Sequence, residues 1–336
     1  MAKVSVIGAG GWGTALAVLL SGNGHEVTLW SFMESEITML REMREQKEKL
    51  PGVKLPESVS ITGDLKAAVS GKEVVVLAVP SPVIRSMARK CTEFSYPGQI
   101  FVNVAKGIEE ASLLTMTEVI SEEMPKANVA VLSGPSHAEE VGRGIPTTIV
   151  VGAKDQQTAL YLQNIFMSEK FRVYISSDMI GIELGGALKN VVALAAGAAD
   201  GLGYGDNTKA ALITRGIAEI ARLGMAMGGK YETFCGLTGI GDLIVTCASV
   251  HSRNRRAGYL IGQGYTYEEA MKEVKMVVEG VYSVKAAIAL GKKYQVSLPI
   301  IEKINQVLFE GLPAAEAVKE LMLRDRTIEH SLVDWE

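Results

Sequence analysis

The sequence predicts an α/β fold: a Rossmann-type N-terminal domain followed by a mostly α-helical C-terminal domain. Short β-branched runs alternate with helical patterns over roughly the first half of the chain. A glycine-rich turn follows the first of those runs, and past Asp178 the strand-like runs stop. The boundary is therefore drawn at 178/179, giving a dinucleotide-binding domain over 1–178 and a helical substrate-binding domain over 179–336.

The expected strands are KVSVIG (3–8), HEVTLW (25–30), KEVVVLAVP (72–80), QIFVNVAKG (99–107), ANVAVLSGP (127–135), TTIVVGA (147–153) and KFRVYIS (170–176). Capped or amphipathic stretches at 14–20, 33–49, 82–91 and 112–123 read as helices between them. Continuous apolar strands linked by helices imply a parallel sheet covered on both faces. In the second half, 180–199, 209–227, 254–262, 267–274, 282–293, 299–309 and 314–321 read as helices, with Gly, Pro and Ser/Thr as caps and stops.

Composition narrows the function classes. A net charge of −4 gives no reason to expect nucleic acid or an anionic membrane as partner. Cys91, Cys235 and Cys247 share no CxxC spacing, so each is expected as a reduced, buried thiol in a cytoplasmic protein. His25, His137, His251 and His330 are scattered, and no metal site is expected. The uncharged stretch 4–24 holds six glycines, which suit a strand–turn–helix unit and break a membrane span.

Gly8-Ala9-Gly10-Gly11-Trp12-Gly13 follows the first strand directly and opens a helix. Gly8 makes the tight turn, Gly10 admits a pyrophosphate close to backbone, and Gly13 packs helix on strand. The helix start offers free N–H donors and partial positive charge to phosphates. The second strand ends Leu29-Trp30-Ser31-Phe32-Met33, neither acidic nor basic. Glu34 is the candidate ribose partner, and NAD and NADP both remain open.

Ligands of such sheets bind beyond the carboxyl ends of the strands, where Pro80-Ser81-Pro82, Lys106-Gly107 and Gly134-Pro135-Ser136-His137-Ala138 are expected. Lys106 there is a candidate for holding an anionic or carbonyl substrate. Lys189 is the one ionisable residue between Glu183 and Asp200, so it either snorkels to the surface or is partly desolvated and tuned for proton transfer. Ser252 is placed to cap the helix beginning at Arg253-Asn254, which makes that turn a ready phosphate site. Asp242 closes a glycine-rich loop, where it serves as a plain turn residue or orients a lysine.

The strings GAGGWGTALA, AVPS, AKGIE, SGPSHAEEV, ELGGALKNVVALAAGAADGLGYGDNTKAALITRG, GLTGIGDLIVTC, SRNRRAG and VVEGV run in order from Gly8 to Val281. In these the chain resembles the bacterial NAD(P)-dependent glycerol-3-phosphate dehydrogenase family. The resemblance implies interconversion of dihydroxyacetone phosphate and sn-glycerol 3-phosphate by hydride transfer with NAD or NADP, supplying glycerol 3-phosphate for phospholipid synthesis. It implies a homodimer acting on a small phosphate, without membrane insertion. It implies Lys189 as proton donor or acceptor, and substrate contacts from Lys106, Gly134, Ser136, Asn190, Asp242, Thr246, Ser252, Arg253 and Asn254. Gly11, Trp12, Phe32, Ala138, Val277 and Glu279 match cofactor positions, with Lys106 and Arg253 also near the cofactor. Many members carry Arg or His where this chain has Phe32. Phe is frequent at the His137 position, and His137 is assigned no catalytic role. The rival readings are a two-domain hydroxyacid dehydrogenase acting on a carboxylate, and a dinucleotide-binding sensor without catalysis.

Overall fold

A computed structural model describes residues 1–326, 328 and 329, so His330 lies outside the described residues. The seven expected strands are present: β1 (Lys3–Ile7), β2 (Glu26–Trp30), β4 (Val74–Leu77), β5 (Ile100–Asn103), β6 (Asn128–Ser133), β7 (Thr147–Ala153) and β8 (Phe171–Ser176). An eighth, β3 (Ser60–Thr62), has three residues, too few to show a periodicity. They form one sheet in the order β3-β2-β1-β4-β5-β6-β7-β8. The first six in that order are the doubly wound arrangement, which reverses direction of winding between β1 and β4.

One strand departs from the all-parallel expectation: β7 runs antiparallel to β6. The link between them contains only the five-residue helix α6 (Ala138–Gly142). The chain turns at the carboxyl edge instead of crossing a face, and so it enters β7 from that edge.

Both faces of the sheet are covered. Val74, Val76 and Val102 pack into one apolar cluster, while their neighbours Val75, Leu77 and Phe101 pack into another on the opposite face. The covering helices are α1 (Gly11–Gly22), α2 (Glu34–Met43), α3 (Leu65–Val69), α4 (Ile84–Thr92), α5 (Met116–Glu123), α6 and α7 (Gln156–Phe166). The helical signal over 33–49 overran: α2 ends where Arg44 adopts φ 49°, and the following residues fold back as a loop. A capping box, Thr115 with Glu118, likewise delays α5 to Met116.

The second half is helical: α8 (Met179–Gly201), α9 (Asp206–Ala226), α10 (Tyr231–Phe234), α11 (Asp242–Ala248), α12 (Arg253–Gly262), α13 (Tyr267–Val274), α14 (Glu279–Tyr294), α15 (Pro299–Phe309) and α16 (Ala314–Met322). The short α10 and α11, and the π-turn Leu237–Gly241 between them, carry too few residues for a helical stripe. Cys235, expected buried, is exposed because it caps the one-turn α10; Cys91 and Cys247 are buried.

The third large apolar cluster is built around α8. This helix is long and apolar enough to span a membrane, yet 94% of its most apolar window is buried inside the protein. It crosses α12 at backbone contact distance. A Cβ on Gly258 would sit 2.0 Å from the Leu194 carbonyl oxygen, so only glycine fits there.

Candidate active site

A cleft of about 980 Å³ runs along the carboxyl edge of the sheet, from the glycine turn to α8, α11, α12 and the start of α14.

At its first end Gly8 has φ 115°, and a Cβ there would lie 2.6 Å from the Ala78 carbonyl oxygen. A Cβ on Gly13 would lie 1.9 Å from the Gly8 carbonyl oxygen, so Gly13 is what lets α1 dock on the turn. A Cβ on Gly10 would meet nothing within 4 Å, because that side opens into the cleft. No side chain caps α1, which leaves its first amides free for an anion. The turn therefore fits a dinucleotide pyrophosphate. Gly11 and Trp12 line the cleft beside it, as do Phe32, Ala138, Val277 and Glu279. Phe32 is 79% exposed. The Ser81 hydroxyl donates to Glu279 at 2.5 Å and the Ser81 amide at 3.2 Å, tying the end of β4 to the start of α14. Burial pushes the Glu279 carboxyl above its ordinary value, against the pull of Ser81 and Arg253.

At the other end Lys189 is desolvated and does not snorkel: it is 5% exposed. Its Nζ donates to Asp242 Oδ1 at 2.5 Å and to Thr246 Oγ1 at 2.7 Å. Thr246 can accept because its own hydroxyl proton goes to the Asp242 carbonyl oxygen at 2.6 Å. Lys106 approaches the same carboxylate from the sheet, donating to Asp242 Oδ2 at 2.7 Å and to the Gly134 carbonyl at 3.0 Å. Two lysines from different halves of the chain thus share one buried aspartate. Gly186 makes room, since a Cβ there would crowd Ser133 and the Lys106 stem. Ser136 donates to the Gly134 carbonyl at 2.9 Å.

The electrostatics follow from this packing. Burial pushes the Lys189 ammonium down to about 8; Asp242 opposes that shift and Lys106 reinforces it. Burial alone would raise the Asp242 carboxyl, but Lys106 and then Lys189 outweigh it and hold it below its ordinary value. Burial first, then Lys189 and Lys106, depress the His137 imidazole. His137 lines this part of the cleft, packed near His251 with ring centroids 5.9 Å apart.

The capped start of α12 sits alongside. Ser252 caps α12, its hydroxyl accepting from the Arg255 amide at 3.2 Å. Asn254 donates to Asn190 Oδ1 at 2.9 Å and accepts from the Gly280 amide at 2.9 Å, so the residues after Lys189 and Arg253 are directly joined. Arg253 is exposed to the cleft and makes no hydrogen bond or ion pair among the described residues.

Most sequence-predicted site residues thus line one cleft. Gly13 and Gly134 support it from behind. Glu34 is exposed outside it, whereas Glu36, two residues further along α2, is buried and lines the cleft. Sequence reasoning also missed the Ser81–Glu279 tie; AVPS at a strand end was the available signal.

Fold and site together define a dinucleotide-dependent oxidoreductase with a buried lysine lining its cleft. Comparison with known proteins gives the family. Residues 3–159 match the family model described as NAD-dependent glycerol-3-phosphate dehydrogenase N-terminus, and residues 178–319 match the corresponding C-terminus. A protein of Agathobacter rectalis called glycerol-3-phosphate dehydrogenase [NAD(P)+] is 64% identical over 335 residues, covering 100% of both chains. A Bacillus subtilis protein of the same name is 53% identical, over 98% of this chain and 96% of its own. A crystal structure of glycerol-3-phosphate dehydrogenase from Coxiella burnetii superposes with TM-score 0.93 at 36% identity, covering 96% of this chain and 99% of its own. The chain belongs to the NAD-dependent glycerol-3-phosphate dehydrogenase family.

Proposed function

We propose that this protein interconverts dihydroxyacetone phosphate and sn-glycerol 3-phosphate with NAD or NADP, and that Lys189 moves the proton. The observation that carries this reading is the buried Lys189–Asp242–Lys106 arrangement, open to the same cleft as the glycine turn.

The bound dinucleotide supplies or accepts the hydride at C2. Everything else is done by side chains. An ammonium has three N–H donors, and Lys189 gives one each to Asp242 and Thr246. The third is left for the substrate carbonyl oxygen, where negative charge develops as hydride arrives. Lys189 then hands its proton to that oxygen; in the reverse direction neutral Lys189 takes it back. Lys106, fixed by Asp242 and the Gly134 carbonyl, adds positive potential without competing for the proton. Ser252, Arg253 and Asn254 hold the phosphate at the start of α12, with Asn190, Thr246, Gly134 and Ser136 shaping the pocket. Gly8, Gly10, Gly11, Trp12, Gly13, Phe32, Ala138, Val277 and Glu279, together with Lys106 and Arg253, form the cofactor side.

In this reading residues 1–178 bind the dinucleotide and those from 179 onward bind substrate. The separate apolar clusters of sheet and α8 support that division. The protein acts in the cytoplasm as a homodimer, supplying glycerol 3-phosphate for phospholipid synthesis. Burial of α8 and the net charge of −4 fit a chain that neither enters membranes nor binds nucleic acid.

The test is oxidation of NADH or NADPH, followed at 340 nm, with dihydroxyacetone phosphate against 3-oxo acids. Turnover confined to dihydroxyacetone phosphate is expected. Turnover confined to the acids, or none with tight nucleotide binding, contradicts the proposal.

A further inference from the structure

In doubly wound dinucleotide folds the group that meets the adenosine ribose stands at the end of the second strand. Here that end is Ser31, and a side-chain cluster closes over it. The Ser31 hydroxyl donates to Glu36 Oε2. Gln46 Nε2 donates to Glu36 Oε1 at 2.7 Å, and Lys49 Nζ donates to the same oxygen at 2.8 Å. Gln46 Nε2 also reaches the Ala9 carbonyl at 2.9 Å, which ties the cluster to the glycine turn itself. Ser31, Glu36 and Lys49 all line the cleft.

We propose that Glu36 is the ribose-recognising residue of this chain and makes it select NAD over NADP. The inference rests on the dinucleotide-dependent reading above. Glu36 is 7% exposed, and a carboxylate that buried persists only when its lone pairs are used. A carboxylate accepts about four hydrogen bonds, and three are present, so Oε2 keeps room for a ribose hydroxyl. A 2′-phosphate would instead bring a dianion against this carboxylate. Three cations on the surrounding elements are already engaged. Lys49 is paired with Glu36, Arg41 donates to the Ile61 carbonyl, and Arg44 donates to the Pro56 and Val59 carbonyls. The adjacent Phe32 contributes no charge.

The experiment is a titration of the purified full chain with NADH and with NADPH, read by nicotinamide fluorescence in the absence of substrate. Wild type should bind NADH at least tenfold more tightly. Glu36→Gln keeps the shape, removes the charge and releases Lys49, so the preference should shrink at least tenfold. Circular dichroism establishes that the variant is folded. If it does not fold, competition on wild type still decides the preference: 5′-AMP should displace NADH at lower concentration than 2′,5′-ADP. Equal or tighter NADPH binding by wild type, stronger displacement by 2′,5′-ADP, or an unchanged preference in folded Glu36→Gln would overturn the proposal. These readouts need no turnover, so failure here is separable from failure of the dehydrogenase assignment. Equal rates with NADH and NADPH on dihydroxyacetone phosphate would leave that assignment standing and remove this one.

Discussion

Lys189 and Asp242 meet at 2.5 Å, each almost wholly buried, with Lys106 on the other oxygen of the same carboxylate. A buried ion pair is weak evidence for stability, since desolvation of both charges offsets much of their attraction. In the proposed mechanism its consequence is functional. It holds an ammonium, softened by burial, at a fixed orientation beside the cleft.

The first prediction concerns pH. Burial brings Lys189 down to about 8, below the ordinary 10.5. Ketone reduction needs the ammonium, so its rate should fall as pH rises through about 8. Alcohol oxidation needs the neutral amine and should rise through the same range. Parallel limbs in both directions would contradict the assignment. In stability the sign also follows: between about 8 and 10.5 the unfolded chain binds the extra proton, so this group's contribution grows with pH.

A second prediction separates anchoring from chemistry. Arg253 lines the cleft at the capped start of α12, with no side-chain partner among the described residues. Arg253→Ala should raise KM for dihydroxyacetone phosphate about 10- to 100-fold, the scale of one charge-assisted contact. Kinetics with unphosphorylated dihydroxyacetone should change far less. Loss of NADH affinity alone would show that Arg253 serves the cofactor only.

Glu183 carries a third. It lies on α8, wholly buried, accepting from Asn103 at 3.1 Å, from the Thr117 amide at 2.9 Å and from the Thr117 hydroxyl at 2.5 Å. Burial nonetheless pushes its carboxyl up to about 7 from 4.5. The folded state therefore binds a proton that the unfolded state has released. The stability this group contributes is present below about 4.5 and is lost as pH rises through about 7. Thermal melts of Glu183→Gln against wild type should show this component removed, a difference on the order of 3 kcal/mol across that window. Identical pH dependence in the two proteins would contradict it.

How far the sequence discloses all this varies by scale. Seven strands were legible because Val- and Ile-rich runs such as VVVLAV have no other stable reading once both faces are buried. The antiparallel turn into β7 was not, because the length of a connection says little about which edge it leaves from. Lys189 stood out because a lone charge in an aliphatic helix has few explanations. Its alternatives, surface or interior, were separable only by the packing of α11 and α12 against α8. Glu36 was missed in favour of Glu34 because two carboxylates two residues apart differ in sequence only by helical phase, and the phase was set by where α2 begins.

The most direct test of the central claim is single-turnover reduction of dihydroxyacetone phosphate by Lys189→Met, with NADH affinity measured on the same protein. The account predicts a rate reduced at least ~1000-fold, as expected when an acid and its charge are both removed, with nucleotide affinity nearly unchanged. A folded Lys189→Met protein turning over within tenfold of wild type would contradict it.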